Sequence, residues 1–146
     1  MTLHHTQSKH SKVSERRYPL AEQYITQPGV HVTGSGLMYR VIELGSGETP
    51  SWDATVKVQQ RVMTATGHVL YDTRQIEQLA EYEIAEAIDG LQEALMLMPK
   101  GSRYELLILP HLAYDIYSVA LNESLAASSE QLIFMDIKLI DFKEQS

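Results

Sequence analysis

The sequence predicts an α+β fold in which a curled antiparallel β-sheet wraps around one short α-helix. Runs typical of strands occur at residues 37–44, 55–64, 68–72, 103–109 and 131–141. One amphipathic segment at 89–97 stands between the third and fourth of these runs. No internal repeat separates them, so a single sheet that covers a single helix is the expected architecture.

The helix prediction rests on one apolar stripe and on the residues at both ends. The stripe has the i, i+4, i+7 spacing of an amphipathic helix and consists of Leu91, Leu95 and Met98. We expect Asp89 to cap the helix and Gln92 to reach back to the Asp89 amide in a capping box. Residues 99–101, Pro-Lys-Gly, then end the helix, because proline cannot continue it and glycine suits a left-handed exit.

The length and composition fit one folded domain. The chain has 146 residues, of which 44% are hydrophobic, and this suffices for one buried core. Residues 1–14 are polar and lack periodicity, so we expect a disordered tail there. Residues 15–32 are expected to hold a short N-terminal helix, which Pro19 enters near its first turn, and a linker. The domain itself is expected to span residues 33–143.

Charge and composition exclude several classes of protein. The net charge of −7 argues against a nucleic-acid binder, which needs a clustered basic face. Because the chain has no cysteine, it has no disulfide and no thiolate site. No apolar run is long enough to span a membrane, and the start of the chain lacks the apolar core of a secretory signal. We expect a cytoplasmic protein if the chain is complete, and a periplasmic or cell-envelope protein if a leader was removed.

Three motifs follow one another in the second half of the chain. They are I-x-G-L-x-E-A-L-x-x-M from Ile88, G-x-x-x-E-L from Gly101 and I-x-P-x-L-A-Y from Ile108, with the strand-like LIFMDIKLIDF further on. In this order they resemble the FK506-binding-protein (FKBP) family of peptidyl-prolyl isomerases, and more narrowly its bacterial macrophage-infectivity-potentiator-like branch. The resemblance covers roughly residues 33–143, which is most of the chain, so this segment is expected to be an FKBP-like domain.

The resemblance implies a peptidyl-prolyl cis-trans isomerase that assists protein folding. Rotation about an X-Pro bond is slow because resonance holds the amide planar. An apolar cleft accelerates the rotation when it fits the twisted amide better than the planar one, without a nucleophile, a metal or a cofactor. The implied partners are proline-containing polypeptides, and macrolide-type ligands are further candidates. Because little of the branch's long dimer-forming helix is present, we expect a monomer.

The same resemblance implies which residues form the cleft. The catalytic candidates are Tyr71 as an aromatic wall, Asp72 as a polar rim group and Tyr114 as a hydroxyl donor to a ligand carbonyl. The substrate-binding candidates are Tyr82, Ala87, Ile88, Leu91 and the inward residue of the last strand, which is either Met135 or Phe134. Alternation with Ile137 and Leu139 favours Met135.

Several positions depart from the family pattern. Gln60 stands where many members have a tyrosine, Leu91 stands where tryptophan is common, and Asp115 replaces a glycine. Residues 116–131 also lack the glycines and prolines of the usual overhanging loop. Two hypotheses follow. The chain is either an isomerase of weak activity or a non-catalytic module that uses the same cleft only to bind a peptide or protein.

Overall fold

The computed structural model describes residues 18–65, 67–113 and 132–145. Within these ranges seven strands form one sheet in the spatial order β1-β2-β6-β7-β3-β4, and β5 pairs with β3 beside β4. All pairings are antiparallel. The strands are β1 (Val30–Val32), β2 (Met38–Glu43), β3 (Thr55–Thr64), β4 (Val69–Asp72), β5 (Ala80–Glu83), β6 (Arg103–Ile108) and β7 (Ile133–Lys143).

One helix of nine residues and several shorter helices accompany the sheet. They are α1 (Pro19–Tyr24), α2 (Thr73–Ile76), α3 (Asp89–Leu97) and α4 (Pro110–Ala113), with a 3-10 turn at Ile84–Glu86. The predicted α+β class and the helix at 89–97 are confirmed. Helix α1 lies where a short N-terminal helix was predicted. The prediction of a single helix within the domain was too simple, because the described part of the chain holds two further helices of four residues there, α2 and α4.

Helix α3 buries the predicted stripe against one face of the sheet, here called the inner face. Leu95 and Met98 are fully buried and Leu91 is nearly so. They join a core with strand residues such as Val58, Leu106 and Ile137. Burial of each such side chain contributes about 1.5–3 kcal/mol, which far exceeds the intrinsic helix propensity of a nine-residue segment.

The two ends of α3 differ in how well the sequence predicted them. Helix α3 ends before Pro99 as predicted, but its C-cap Met98 has extended backbone, so the predicted left-handed exit from the helix was wrong. Gly101, with φ +91°, is left-handed in the turn that follows. The capping box was wrong: Ile88 is the N-cap residue, Asp89 is already helical, and no side chain caps the start. The side-chain nitrogen of Gln92 instead donates to the carbonyl oxygens of Ala85 at 3.0 Å and Ala87 at 2.8 Å. Asp89 therefore acts only through its charge near the positive end of the helix.

The register of the strands assigns alternate residues to the two faces of the sheet. Residues directly opposite one another across an antiparallel ladder share a face. The pairings place one such row on the inner face: His31, Tyr39, Leu106, Met135, Val62 and Tyr71. The neighbouring row, on the outer face, is Val30, Arg40, Glu105, Asp136, Arg61 and Asp72.

Helix α1 covers part of the outer face. Ala21 and Tyr24 pack with Met38, Leu107 and Leu132 in a second, smaller apolar cluster. The Tyr24 hydroxyl donates to Glu105 Oε1 at 2.9 Å. Pro19 is the first residue of α1, as predicted from its fixed φ. The earlier part of the predicted helix and the predicted tail at 1–14 lie outside the described residues.

Strand β3 pairs with β7 on one side along its whole length, but its other side is shared. Residues 55–58 pair with β5, whereas residues 61–63 pair with β4. Helix α2 and the following loop leave the sheet between these two strands. At the gap, the Gln60 N–H donates to the Thr73 hydroxyl at 3.1 Å, so a side chain replaces the missing strand partner.

Candidate active-site cleft

Two predicted residues, Met135 and Tyr71, lie on the inner face near the edge of the sheet, on either side of Val62. Val62 lies between Met135 on β7 and Tyr71 on β4 in the register of the ladders. Met135 is 3% exposed and belongs to the main core, whereas Tyr71 at the edge is 37% exposed. This gradient from a buried floor to an accessible aromatic ring is typical of the wall of an apolar cleft.

Phe134 does not belong to this wall. Its ring packs on the outer face against Tyr24, with ring centroids 6.1 Å apart in an edge-to-face arrangement. Neighbouring residues of a strand point to opposite faces, so Met135 and Phe134 cannot both line the cleft. Of the two alternatives for the inward residue, Met135 is therefore correct and Phe134 is wrong.

The entry to helix α3 supplies a second side of the cleft. Leu91 is 6% exposed and lies in the main core, and Ala87 and Ile88 pack half-buried against that core. Ala87 and Ile88 both have extended backbone between the 3-10 turn and α3. The structure therefore brings the predicted residues Ala87, Ile88 and Leu91 into the same cluster as Met135.

Tyr82 on β5 packs against the same cluster and forms a polar contact with Gln60. The Tyr82 hydroxyl donates to Gln60 Oε1 at 2.9 Å. Burial, with a smaller effect from the neighbouring Tyr71, raises the pKa of the Tyr82 phenol far above its ordinary value. Tyr82 therefore remains a protonated donor at physiological pH. The glutamine that departs from the family pattern thus pairs with an aromatic wall of the predicted cleft.

Asp72 contacts one backbone N–H group and two arginine side chains. The carboxylate caps α2 by accepting from the Arg74 N–H at 2.9 Å. It also lies 3.5 Å from the Arg74 guanidinium and 3.7 Å from that of Arg61. Asp72 is 9% exposed, so these contacts compensate for its desolvation. Its predicted role as a polar rim group of the cleft stays a prediction.

The third catalytic candidate, Tyr114, lies outside the described residues, as do Asp115 and the segment 116–131. Conversely, one wall residue was missed. Val62 is not among the predicted cleft residues, yet its side chain packs against the main core. The signal was the alternation of Val56, Val58, Gln60 and Val62 along β3, which assigns all four to the inner face.

Comparison with known proteins identifies the family of this chain. The sequence profile of the family described as FKBP-type peptidyl-prolyl cis-trans isomerase matches residues 46–140. The chain belongs to the FKBP family. The sequence-based predictions of the FKBP family and of the fold class are therefore confirmed.

The relatives of this FKBP chain include bacterial proteins of the predicted branch. It is 35% identical over 119 residues to an outer membrane protein MIP of Legionella longbeachae, and covers 49% of that protein. It is 30% identical over 119 residues to a peptidyl-prolyl cis-trans isomerase Mip of Coxiella burnetii, and covers 50% of it. These alignments each use 82% of the chain.

Solved structures give the same result. The crystal structure of FkpA from Escherichia coli superimposes with a TM-score of 0.76 at 26% identity, over 86% of this FKBP chain and 57% of that one. The chain spans about half the length of the Legionella and Coxiella relatives named above. Among the residues that the structure describes, no helix has the length and apolar character needed to cross a membrane.

Proposed function

We propose that this FKBP chain catalyses the cis-trans isomerisation of X-Pro bonds in polypeptides and so assists protein folding. The observation that carries the proposal is the convergence of Tyr82, Ile88, Leu91 and Met135 on one apolar cluster. Tyr71 lies two strands away from Met135, with Val62 of β3 between them, and forms the accessible edge of the proposed cleft. These side chains offer the apolar surroundings that a proline ring requires.

The chemistry needs no bond to be broken. The planar amide resists rotation by about 18–20 kcal/mol, and a catalyst lowers this barrier by binding the twisted amide more tightly than the planar one. In our proposal Leu91 and Met135 form the floor for the proline ring, while Tyr71 and Tyr82 form its walls. The backbone of Ala87 and Ile88 binds the peptide chain beside the ring.

Polar groups at the rim would then orient the substrate. Tyr114 is proposed to donate its hydroxyl to a carbonyl of the substrate, a role that the family resemblance implies. Asp72 belongs to the outer-face row but is the last residue of β4, where the chain leaves the edge of the sheet. We propose that from this edge its carboxylate, held by Arg61 and Arg74, reaches the rim of the cleft. Because the Tyr82 hydroxyl is already used by Gln60, the wall at Tyr82 presents its ring to the substrate.

A second function is favoured by specific observations. Gln60 makes one wall more polar than in many relatives, and residues 116–131 contain no glycine or proline. A cleft altered in this way supports binding of a peptide or protein without acceleration of isomerisation. The chain would then be a non-catalytic FKBP-like module, and we retain this alternative.

Partners and oligomeric state follow from the same proposal. Proline-containing polypeptides are the proposed substrates, because the cleft offers apolar walls for a proline ring. Macrolide-type ligands are proposed to compete with these polypeptides for the same cleft. We propose that the chain is a monomer, and its compartment stays a prediction.

A protease-coupled assay with a proline-containing tetrapeptide tests the proposal. We expect the chain to accelerate isomerisation, and Tyr114→Phe to reduce kcat/KM about tenfold through loss of one hydrogen bond in a partly dry site. Asp72→Ala combined with Tyr114→Phe should abolish the acceleration. Tyr39→Phe is the matched control, since Tyr39 also faces inward but stacks on Tyr104 away from Tyr71, and it should keep full activity.

The outcomes separate the two functions. Acceleration that Tyr114→Phe removes supports the isomerase, and displacement of the peptide by a macrolide supports the same cleft. Peptide binding without acceleration supports the binding module instead. If the chain neither binds nor isomerises proline peptides, both functions are wrong.

A further inference from the structure

The peptide unit between Ala87 and Ile88 is held by one side chain from the helix that follows it. The side-chain nitrogen of Gln92 donates to Ala87 O at 2.8 Å and to Ala85 O at 3.0 Å. Gln92 therefore uses both of its N–H groups on the two carbonyls that precede α3. It is half-buried, so these hydrogen bonds are shielded from much of the competing water.

The carbonyl of Ile88 is also occupied. It accepts hydrogen bonds from the N–H groups of Leu91 at 3.0 Å and Gln92 at 2.9 Å. With both the Ala87 and the Ile88 carbonyl engaged, the peptide planes on either side of Ile88 are fixed. Among the acceptors in the described ranges of the chain, none binds the Ile88 N–H. This donor is therefore both oriented and available.

The orientation of the donor follows from the geometry of the peptide bond. The C=O of one residue and the N–H of the next point in opposite directions across a trans peptide, and the described residues contain no cis bond. Gln92 fixes the direction of the Ala87 carbonyl, so it also fixes the direction of the Ile88 N–H. The N–H points away from the side on which Gln92 lies.

A second contact fixes which end of the Gln92 carboxamide meets the carbonyls. The indole N–H of Trp52 lies 3.4 Å from Gln92 Oε1. Because an indole only donates, it binds the oxygen and leaves the nitrogen for Ala85 and Ala87. Trp52 is 56% exposed, so we expect this contact to be weaker than the two bonds to the backbone.

We propose that Gln92 is a positioning residue for the isomerase reaction, which holds the Ala87–Ile88 peptide so that the Ile88 N–H donates to a carbonyl of the proline-containing substrate. The inference rests on the proposed function, because it assigns a role within the same cleft. Gln92 itself does not touch the substrate. Its effect on the reaction passes through the backbone of Ile88.

Two variants remove the donors while they keep the shape of the side chain. Gln92→Met removes all hydrogen bonding, and Gln92→Glu keeps an acceptor for Trp52 but loses both donors to the carbonyls. We expect each to lower kcat/KM about tenfold, in line with one misplaced hydrogen bond to the transition state. Gln78→Met is the matched control, because Gln78 is exposed and its backbone bond to Thr73 O does not involve the side chain.

NMR of the ¹⁵N-labelled chain supplies a readout that loss of stability alone would not change. In the wild-type chain, we expect saturating proline peptide to shift the Ile88 amide proton downfield. In the Gln92 variants this shift should largely disappear, while the Gln78→Met variant should retain it. Spectra are compared at a temperature at which circular dichroism shows every variant folded.

Each outcome decides a specific point. Loss of activity together with loss of the Ile88 shift supports the positioning role. Wild-type activity in both Gln92 variants, or loss of activity with an unchanged Ile88 shift, would overturn it. If the wild-type chain itself does not accelerate isomerisation, the proposed function fails, whereas an Ile88 shift that depends on Gln92 would still support positioning for peptide binding.

Discussion

Two neighbouring rows of residues cross the same strands of the sheet but have opposite chemistry. The inner-face row contains Tyr39, Leu106, Met135, Val62 and Tyr71, and its middle is buried under α3. The outer-face row contains Arg40, Glu105, Asp136, Arg61 and Asp72, in which positive and negative groups mix. The rows differ by one residue along each strand.

This contrast shows that the two faces of one sheet have different roles, one in stability and the other in strand register. The inner row stabilises the fold because it removes apolar surface from water. The outer row contributes much less energy per pair, because ion pairs such as Arg40–Glu105, whose side chains are about a third exposed, are each worth about 0–1 kcal/mol. A slip by one residue would bury the charged row and expose the apolar row, so the outer charges specify the register.

The largest effect is expected from a truncation in the inner row. Leu106→Ala removes a fully buried side chain from the centre of β6 and should lower the free energy of unfolding by about 3–5 kcal/mol. Urea denaturation followed by circular dichroism measures this change. Leu107→Ala is the comparison, since Leu107 is equally buried but belongs to the smaller outer cluster. We expect it to cost less, and an equal or larger cost would contradict the contrast.

A moderate effect is expected where α1 meets the outer row. Tyr24→Phe keeps the ring against Phe134 but removes the hydroxyl that donates to Glu105. We expect a loss of about 1–2 kcal/mol, because the acceptor is charged and the bond is partly buried. Glu105→Gln in the same urea experiment tests the partner. If Tyr24→Phe proved as stable as the wild type, the hydrogen bond would not anchor α1.

Alkaline pH provides a further test of the two faces. Burial raises the pKa of Tyr24 above its ordinary value of 10.0, and the hydrogen bond to Glu105 adds to this. Burial likewise raises the pKa of Tyr82 on the inner face. Above pH 10 the unfolded chain releases these protons while the folded chain retains them, so stability present below pH 10 is lost as the pH rises.

Each of the two tyrosines should contribute up to about 1.4 kcal/mol per pH unit to this loss. Tyr24→Phe and Tyr82→Phe should each reduce the slope of unfolding free energy against pH between pH 10 and 11.5, and the double variant should reduce it more than either single variant. Tyr39→Phe serves as the control. An unchanged slope in the double variant would show that other groups control alkaline unfolding.

The smallest effect is expected from the exposed pair on the outer face. Arg103 makes a two-point contact with Asp136, at 2.8 and 2.5 Å, and both side chains are more than a third exposed. Asp136→Asn should change the free energy of unfolding by no more than about 1 kcal/mol, and the change should shrink in 0.5 M salt. A loss comparable to that of Leu106→Ala would mean that the outer charges contribute as much as the core.

The sequence predicted the elements that bury a regular apolar pattern. The run at 55–64 and the helix at 89–97 have the observed bounds of β3 and α3, and other predicted strands differ by one or two residues. The shared cluster of Tyr82, Ile88 and Leu91 could be predicted too, because each of these positions matches one in a known family. Met135 was chosen over Phe134 by alternation alone, and the structure agrees.

The remaining features depend on contacts distant in sequence. Strand β5 carries alternating glutamates around Tyr82, and it is a strand because β3 provides its partner. Strand β1 has only three residues and lies within the predicted linker 15–32, but it pairs with β2. The prediction of a capping box was wrong because Gln92 binds carbonyl groups that the 3-10 turn places beside it. No local pattern in the sequence predicted that turn.

The gap in the ladder beside Gln60 has a consequence for protein engineering. Residues 75–78 protrude between β4 and β5, and all four are exposed. The longest ladder of the sheet, between β3 and β7, keeps one register past this gap, from Val58 to Thr64. A foreign epitope or sensor peptide grafted between Gln75 and Gln78 should therefore lengthen a surface loop without a shift in strand register, which makes this site a convenient handle for display or labelling.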